Sequence, residues 1–358
     1  MEKLYVDGGS RLSGNIRISG SKNSSLPILA ATLLTDSECI LRNVPDLSDT
    51  NYMVQILSTL GAEVERASGN VIVKANKVAA EAPYDLVRKM RASVCVLGPM
   101  LARNGEALVS LPGGCVIGDR PIDLHLRGLE ALGAEVEVKG GDIKVTTPSG
   151  LKGANVNMSG QYGSTVLGTD NVMMAAVFAE GETIIEGAAA EPEVEDLAKF
   201  LNSLGAKIEG AGTSRIVIHG VEDLSGGEHV VIPDRIEAGT FCVASTLAQG
   251  SLEIKNLNPK YYIFYVGIND QNLLSQKTKD VDLFEESSFK NNLKEFMESN
   301  SFFYKNFRLL KTYSYLKFGY KKGINIVNKN GVVYGERSSK KFINYEEFEK
   351  KGGLIDEN

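Results

Sequence analysis

The chain has 358 residues, of which 43% are apolar and 23% charged, and its formal net charge is −6. This composition is typical of a globular protein and excludes the disordered, collagen-like and disulfide-stapled classes. No apolar run reaches membrane-spanning length, the first residues lack a signal-peptide pattern, and the acidic balance argues against non-specific nucleic-acid binding. We therefore expect a cytoplasmic protein with no membrane or nucleic-acid partner.

The composition changes abruptly near residue 259. Of the 13 Phe and 13 Tyr residues, 19 lie in residues 259–358, and this stretch contains no alanine. Its net charge is +4, whereas residues 1–258 carry −10. Such a change at one point predicts a boundary, so residues 259–358 are treated as a separate tail.

The first part of the chain contains a repeat. The triplet Leu-Gly-Ala occurs at residues 60–62, 132–134 and 204–206, with a spacing of 72 residues each time. Each triplet follows an amphipathic pattern, such as Met53, Ile56, Leu57 and Leu60, so the glycine is expected to end a helix in a left-handed conformation. With the flanking segments, each unit is predicted to run helix, strand, helix, strand, strand. Three such units predict one α/β domain closed around shared helices.

A fourth unit begins but does not continue. A helix is predicted over residues 241–247 and a strand over 252–254, and the next Leu-Gly-Ala triplet is absent. The repeat is therefore interrupted at about Pro259.

A glycine-rich loop in the second repeat, residues 111–120, has Cys115 at its centre. Arg120 and the start of the following helix both favour the thiolate, so Cys115 is a candidate nucleophile or acid. The alternative is that Cys115 is only a small loop residue. Cys39, Cys95 and Cys242 stand in apolar segments and are expected to fill the core.

Three cations precede or begin helices in an otherwise acidic segment. Lys22 stands at the start of the first repeat, where Asn23 or Ser24 is expected to cap the helix, and Arg91 holds a similar place in the second. Together with Arg120 they suggest a site for phosphate or carboxylate. Taken singly, each is more often a solvated surface residue. The three histidines show no metal-ligand spacing.

These segments resemble the UDP-N-acetylglucosamine 1-carboxyvinyltransferases, a family of enolpyruvyl transferases. The resemblance covers residues 1–258. It is carried by five motifs, at Gly20–Asn23, Pro112–His125, Gly168–Ala176, Glu191–Glu193 and Ile232–Thr240. The related enolpyruvyl transferases of the shikimate pathway share the fold but lack the cysteine loop, so they rank lower.

The resemblance implies transfer of the enolpyruvyl group from phosphoenolpyruvate to the 3′-hydroxyl of UDP-N-acetylglucosamine, the first committed step of peptidoglycan precursor synthesis. It implies no metal or organic cofactor. Cys115 is expected to act as general acid and to be able to form a covalent adduct, while Lys22 and Arg120 hold phosphoenolpyruvate. The residues expected around the UDP-sugar are Asn23, Arg91, Arg120, Pro121, Ile122, Asp123, Leu124, Thr165, Val166, Leu167 and Gly168.

The family fold is two inside-out α/β barrels of three repeats each. By this resemblance, residues 22–229 are one complete barrel, residues 1–21 and 230–258 are a remnant of the second, and residues 259–358 are an unrelated α+β tail. The aspartate that serves the family as base, and further arginines, fall in the missing region. We therefore expect the chain to fold its first barrel and to bind the UDP-sugar, but to be very weak or inactive as a transferase.

The tail begins with a strand pattern, Tyr261–Val266, followed by Gly267-Ile268-Asn269-Asp270. This short block looks like a fragment of an SGNH-type hydrolase, and a plain buried strand and turn explains it equally well. Three interpretations stay open: a transferase, a non-catalytic UDP-sugar-binding module joined to another domain, and an artificial join of two reading frames. The partner of the tail is not specified by the sequence.

Overall fold

A computed structural model of the chain describes residue 5 and residues 11–67, 69–113, 122–160, 163–248 and 251–256, together with two short strands at 326–327 and 333–334. It forms two compact units. One consists of residues 14–242 and 252–259, and the other of residues 1–13, 243–251 and 260–358. Within the described residues, no helix has both the length and the apolar character needed to cross a membrane.

The predicted order of elements is confirmed in all three repeats. Ahead of them lies β1 (Ser13–Arg17). The first repeat contains α1 (Lys22–Ala31), β2 (Cys39–Arg42), α2 (Ser48–Thr59), β3 (Glu63–Ala67) and β4 (Asn70–Lys74). After a short helix α3 (Tyr84–Val87), the second contains a 3-10 helix (Arg91–Val96) that continues as α4 (Leu97–Asn104), then β5 (Glu106–Ser110), α5 (Asp123–Ala131), β6 (Glu135–Lys139) and β7 (Asp142–Thr146).

The third repeat follows three short strands. These are β8 (Asn155–Asn157), β9 (Ser159–Gly160) and β10 (Gly163–Ser164). The repeat itself contains α6 (Val166–Ala176), β11 (Glu182–Glu186), α7 (Pro192–Ser203), β12 (Lys207–Glu209) and β13 (Arg215–His219). Beyond it lie β14 (Gly227–Val230), α8 (Arg235–Leu247), β15 (Ser251–Lys255), β16 (Ile326–Val327) and β17 (Val333–Tyr334).

The Leu-Gly-Ala triplets end the helices as predicted. Gly61, Gly133 and Gly205 have φ angles of +102°, +91° and +112°. In each triplet the glycine amide donates to the carbonyl three residues earlier, and the alanine amide donates to the carbonyl five residues earlier. This pair of bonds is the Schellman motif, which satisfies carbonyls that the helix end leaves without partners.

The three repeats close into a ring because each sheet takes a segment from the preceding repeat. The sheet orders are β14-β2-β4-β3, β5-β7-β6 and β12-β13-β11-β8. β8 follows the second repeat and runs parallel to β11 of the third. Glu81 follows the first repeat and forms a parallel bridge to Leu108 in β5 of the second. β14 follows the third repeat and runs parallel to β2 of the first. Arg42 and Glu228 form an ion pair across this last junction.

The first helices of the repeats form the core, and the sheets lie outside them. Residues 24–35, 92–101 and 168–177 are all buried. Strands such as β4 alternate buried and more exposed positions, with Val71 and Val73 facing inward. This arrangement is an inside-out α/β barrel, the predicted fold class.

The predicted start of a fourth repeat is confirmed by α8 and β15, and β15 pairs with β1.

Cys39 and Cys95 are buried as predicted, and burial raises the pKa of the Cys39 thiol to about 11. The prediction for Cys242 was wrong, because α8 leaves this side of the helix exposed, unlike the three central helices. In the tail, the described residues form β16 and β17, which pair antiparallel, while the predicted strand at Tyr261–Val266 and the SGNH-like block lie outside the described residues. The domain boundaries at residues 22 and 229 stay a prediction.

Candidate functional site

The helices of the ring place their first turns at the same end of the unit. Ser24 in the first turn of α1 donates to Asp196 in the second turn of α7. The amide of Ala189, just ahead of α7, donates to Thr169 Oγ1 in the first turn of α6, at 3.1 Å. The starts of α1, α6 and α7 therefore lie together.

The second repeat joins the same end through Asn171. Its Oδ1 accepts from the amide of Gly98 at 2.8 Å, and its Nδ2 donates to the carbonyl of Val94 at 2.8 Å. The same Nδ2 lies 3.0 Å from Nδ1 of His125, the third residue of α5. The starts of the 3-10 helix and of α5 thus lie beside that of α6. Helix starts carry partial positive charge and free amides, so this end of the unit favours anions.

Lys22 is the first residue of α1. Ser21 caps the helix, since its Oγ accepts from the amide of Ser24 at 3.3 Å. The expectation that Asn23 or Ser24 is the cap was wrong, because Ser21 has extended backbone and Lys22 is already helical. The Lys22 ammonium lies 3.0 Å from Asp49 Oδ2, in the first turn of α2. An anionic ligand at Lys22 therefore competes with a carboxylate that already holds it.

A cleft of about 430 Å³ opens beside Lys22 and Asn23. Its far wall is formed by Asp234 and the first two turns of α8. Asp234 Oδ2 accepts from the amide of Lys22 at 3.2 Å, while Oδ1 accepts from the amides of Ile236 and Glu237, at 2.8 and 3.0 Å. One carboxylate thus satisfies amides at the starts of two helices.

A larger cleft, of about 870 Å³, lies elsewhere on the unit. Its lining includes Leu34, Arg103 and Phe178, which follow or end the three central helices. These are the negative ends of the helix dipoles, so this cleft is the poorer place for a phosphate.

Arg91 is the first residue of the 3-10 helix and is half-buried. The glycine-rich loop leaves the sheet close to it. A Cβ added to Gly113 would lie 2.0 Å from the carbonyl oxygen of Arg88, so the backbone of the loop base packs directly on the turn that leads to Arg91. Only glycine permits that approach.

His125 is buried behind the first turn of α5. Burial first, and then the positive charge of Arg91, lower the pKa of His125 from 6.5 to about 4, with Asp123 opposing part of this shift. Arg91 and Asp123 are therefore both near this imidazole, although the sequence separates them by 32 positions.

Thr165 caps α6, with its Oγ1 accepting from the amide of Gly168 at 3.2 Å. A Cβ at Gly168 would lie 2.4 Å from Thr165 Cγ2, so glycine keeps the cap close to the helix. Thr165, Val166 and Leu167 are partly exposed at this end, and the helix is buried from Gly168 onward.

The model of the family described as EPSP synthase (3-phosphoshikimate 1-carboxyvinyltransferase) matches residues 6–268. The chain belongs to the EPSP synthase family.

Several curated relatives match the chain strongly. The UDP-N-acetylglucosamine 1-carboxyvinyltransferase of Akkermansia muciniphila is 60% identical over 257 residues, which are 72% of this chain and 60% of that protein. The enzyme of the same name from Methylacidiphilum infernorum is 61% identical over 256 residues, 72% of this chain and 61% of that protein. The chain thus spans about three fifths of the length of these relatives.

Solved structures show the same fold. The enolpyruvyl transferase NikO from Streptomyces tendae aligns with a TM-score of 0.61 and 28% identity, covering 69% of this chain and 58% of that one. An EPSP synthase from Acinetobacter baumannii aligns with a TM-score of 0.57 and 19% identity, covering 73% and 57%. The second likeness concerns the fold alone.

Most of the predicted site residues lie at the end of the unit where the helix starts gather. They are Lys22, Asn23, Arg91, Ile122, Asp123, Leu124, Thr165, Val166, Leu167 and Gly168. Cys115, Arg120 and Pro121 lie outside the described residues. Asp49 and Asp234 were not among the predicted site residues: Asp49 is an ordinary carboxylate at a helix start, and Asp234 was given no role although it lies in the Ile232–Thr240 motif. Among the described residues, no three His, Cys, Asp or Glu side chains are grouped to hold a metal ion.

Proposed function

We propose that the chain binds UDP-N-acetylglucosamine and phosphoenolpyruvate and transfers the enolpyruvyl group to the 3′-hydroxyl of the sugar. In this reaction the bond from C2 of phosphoenolpyruvate to the phosphate oxygen is exchanged for a bond to the sugar oxygen, and inorganic phosphate leaves. The observation that carries the proposal is the end of the ring where helix starts gather around Lys22, Asn23 and Arg91. Both substrates carry phosphate, which this end favours.

The assignment of roles follows the resemblance of the sequence motifs to the enolpyruvyl transferases. Cys115 supplies the proton to the methylene of phosphoenolpyruvate, and Lys22 and Arg120 hold its phosphate and carboxylate. The first turns at Asn23, Arg91, Ile122–Leu124 and Thr165–Gly168 hold the nucleotide sugar, together with Arg120 and Pro121. No metal or organic cofactor is part of the proposal, and the cytoplasm is the proposed location.

A second function is favoured by one observation. The chain matches about 60% of the length of its relatives, and residues 269–358 lie beyond the range that the family model matches. We therefore also propose, as the alternative, that the chain binds the UDP-sugar with little or no turnover.

Two measurements separate these functions. Calorimetric titration with UDP-N-acetylglucosamine reports binding, and ligand at a hundred times its Kd should stabilise the fold by about 2.7 kcal/mol. Phosphate release from phosphoenolpyruvate in the presence of the sugar nucleotide reports transfer. Cys115→Ser is the matched control, since it should keep sugar binding and abolish transfer.

Binding with Cys115-dependent phosphate release supports the transferase. Binding without release supports the alternative. If neither UDP-N-acetylglucosamine nor phosphoenolpyruvate binds at millimolar concentration, both functions are wrong for this chain.

A further inference from the structure

The second turn of α7 carries a buried acid that the proposed chemistry does not use. Asp196 is 2% exposed. Its Oδ2 accepts from Ser24 Oγ at 2.5 Å and from the amide of Ile232 at 3.2 Å, and its Oδ1 lies 3.0 Å from His229 Nε2. A buried carboxylate requires such partners, because it has lost its hydration. A carboxylate accepts and does not donate, so Nε2 of His229 is the donor in this bond.

The three partners of Asp196 come from separate parts of the chain. Ser24 lies in the first turn of α1, His229 in β14, and Ile232 in the segment that follows β14. That segment is itself joined to α1, because the amide of Ser21 donates to the carbonyl of Ile232 at 2.7 Å. Residues 18–24 and 229–234 therefore lie side by side, and Asp196 is hydrogen-bonded to both segments.

One turn earlier on α7, Glu193 anchors the chain just beyond the second of these segments. Its carboxylate accepts two bonds from the guanidinium of Arg235, at 2.9 and 3.1 Å. Arg235 begins α8, whose first turns line the cleft beside Lys22. Two buried acids of α7 thus fix the two chain segments that border the cleft. The imidazole of His229 is fixed in turn by Phe200, with 5.5 Å between ring centroids.

Lys22 and Asn23 stand immediately ahead of Ser24, and their side chains are the more exposed part of this turn. Where their charged and amide groups lie is set by the backbone of the turn. We propose that Asp196 is a positioning residue: it fixes the first turn of α1, and with it Lys22 and Asn23, against the segment at residues 229–232. This inference rests on the proposed function, in which Lys22 and Asn23 contact the substrates.

The experiment compares Asp196→Asn with Asn202→Ala in the full chain. The first variant keeps the size of the side chain but removes its negative charge, so the three bonds lose their charge assistance, and the bond to His229 survives only if the imidazole changes tautomer. Asn202 lies on the same helix at the opposite end, where it makes two bonds to the backbone of Ile208, at 2.8 and 2.9 Å. Both variants should lower the melting temperature.

Only Asp196→Asn should change the site. We expect faster amide hydrogen exchange in residues 19–25 and about tenfold weaker binding of UDP-N-acetylglucosamine, with neither change in Asn202→Ala. If Asp196→Asn lowers the melting temperature but leaves exchange at residues 19–25 and the Kd unchanged, the proposal is overturned.

If the unmodified chain does not bind UDP-N-acetylglucosamine, the proposed function has failed, and exchange at residues 19–25 alone decides the positioning role. If Asp196→Asn does not fold, Ser24→Ala replaces it, because that change removes only the hydroxyl from the network. Faster exchange at residues 19–25 in Ser24→Ala then supports the proposal, and unchanged exchange overturns it.

Discussion

The imidazole of His125 accepts a hydrogen bond from the side-chain amide of Asn171, with 3.0 Å between Nδ1 and Nδ2. The orientation of that amide is fixed by the backbone, since its oxygen accepts from the amide of Gly98 and its nitrogen donates to the carbonyl of Val94. Nδ1 must therefore be unprotonated, and the imidazole is neutral with its hydrogen on Nε2. The same conclusion follows from burial, which lowers the pKa of His125 to about 4.

The first prediction is that His125 makes stability depend on acid pH. In the unfolded chain a histidine takes up its proton near pH 6.5, whereas His125 in the folded chain does so only near pH 4. Acid therefore favours the unfolded chain, and the free energy of unfolding should fall by about 3 kcal/mol between pH 7 and pH 4 from this group. Urea titrations at several pH values measure it in the unmodified chain and in His125→Gln.

The difference between the pH dependences of these two proteins gives the contribution of His125, because the other titrating groups are the same in both. His125→Gln should lose less stability on acidification than the unmodified chain. The control is His219→Gln, because His219 lies on β13 with about half of its side chain exposed. An NMR titration that places the pKa of His125 at 6 or above would contradict the prediction.

The second prediction concerns Asp170, a buried carboxyl in the first half of α6. Neither of its oxygens has a hydrogen-bond partner among the described residues. Burial raises its pKa well above the usual value, and the negative charges of Glu191 and Glu193 raise it further. Asp170 is thus protonated in the folded chain at pH values where an unfolded aspartate is ionised, so its contribution to stability falls as the pH rises above about 4.

Asp170→Asn should therefore stabilise the protein, and its advantage over the unmodified chain should grow between pH 4 and pH 7. Denaturant titrations of both proteins at pH 4 and at pH 7 give the difference in the free energy of unfolding at each pH. The control is Asp142→Asn in β7, whose carboxylate accepts from Ser110 Oγ at 2.6 Å and which should lose stability instead. An advantage of Asp170→Asn that is larger at pH 4 than at pH 7 would show that Asp170 is ionised in the folded chain.

The repeat explains how much of this fold could be predicted. The Leu-Gly-Ala triplets combine a 3.6-residue pattern with a helix-ending glycine, and both signals are local. The closure of the ring is not local: β14 pairs with β2 across nearly 190 residues, and no periodic pattern specifies which edges meet. The error at Cys242 has the same origin, since an apolar helix pattern does not say whether a neighbour covers it.

At the candidate site, sequence reasoning identified the cations and missed the acids that surround them. Lys22 stands out because it is a cation at a helix start in an acidic segment, whereas Asp49 and Asp234 are common residues at helix starts. The sequence alone does indicate that Asp196 is a buried acid. It lies on the stripe formed by Glu193, Leu197, Phe200 and Leu201 on α7, so the 3.6-residue period places an acid on a buried face.

The third prediction tests the helix-ending motif. Gly205 has φ +112°, and a Cβ there would have no atom within 4 Å, so the space around it is open. Gly205→Ala should therefore be destabilised by backbone strain alone, by about 1 kcal/mol. Gly205→Asn should lose less, because asparagine tolerates left-handed backbone better than alanine. Thermal unfolding of the two variants checks the order, and equal losses would point to another cause.

The fourth prediction concerns the ammonium of Lys22. It is paired with Asp49 at 3.0 Å and its side chain is about two fifths exposed, so it can exchange that carboxylate for a ligand oxygen. A hydrogen bond to a charged group contributes about 1.5–3 kcal/mol, so Lys22→Ala should weaken the binding of phosphoenolpyruvate roughly ten- to a hundredfold. Calorimetric titration in the presence of UDP-N-acetylglucosamine measures this change.

The control for Lys22 is Lys199→Ala. Lys199 is also paired with a carboxylate, Glu195, at 2.9 Å, but it lies on an exposed face of α7 and should leave the Kd unchanged. Lys22→Arg keeps the charge at the start of α1 and should recover part of the affinity, because the positive helix end and the cation act on the same anion. Equal losses in Lys22→Ala and Lys199→Ala would mean that net charge, rather than the position of Lys22, governs binding.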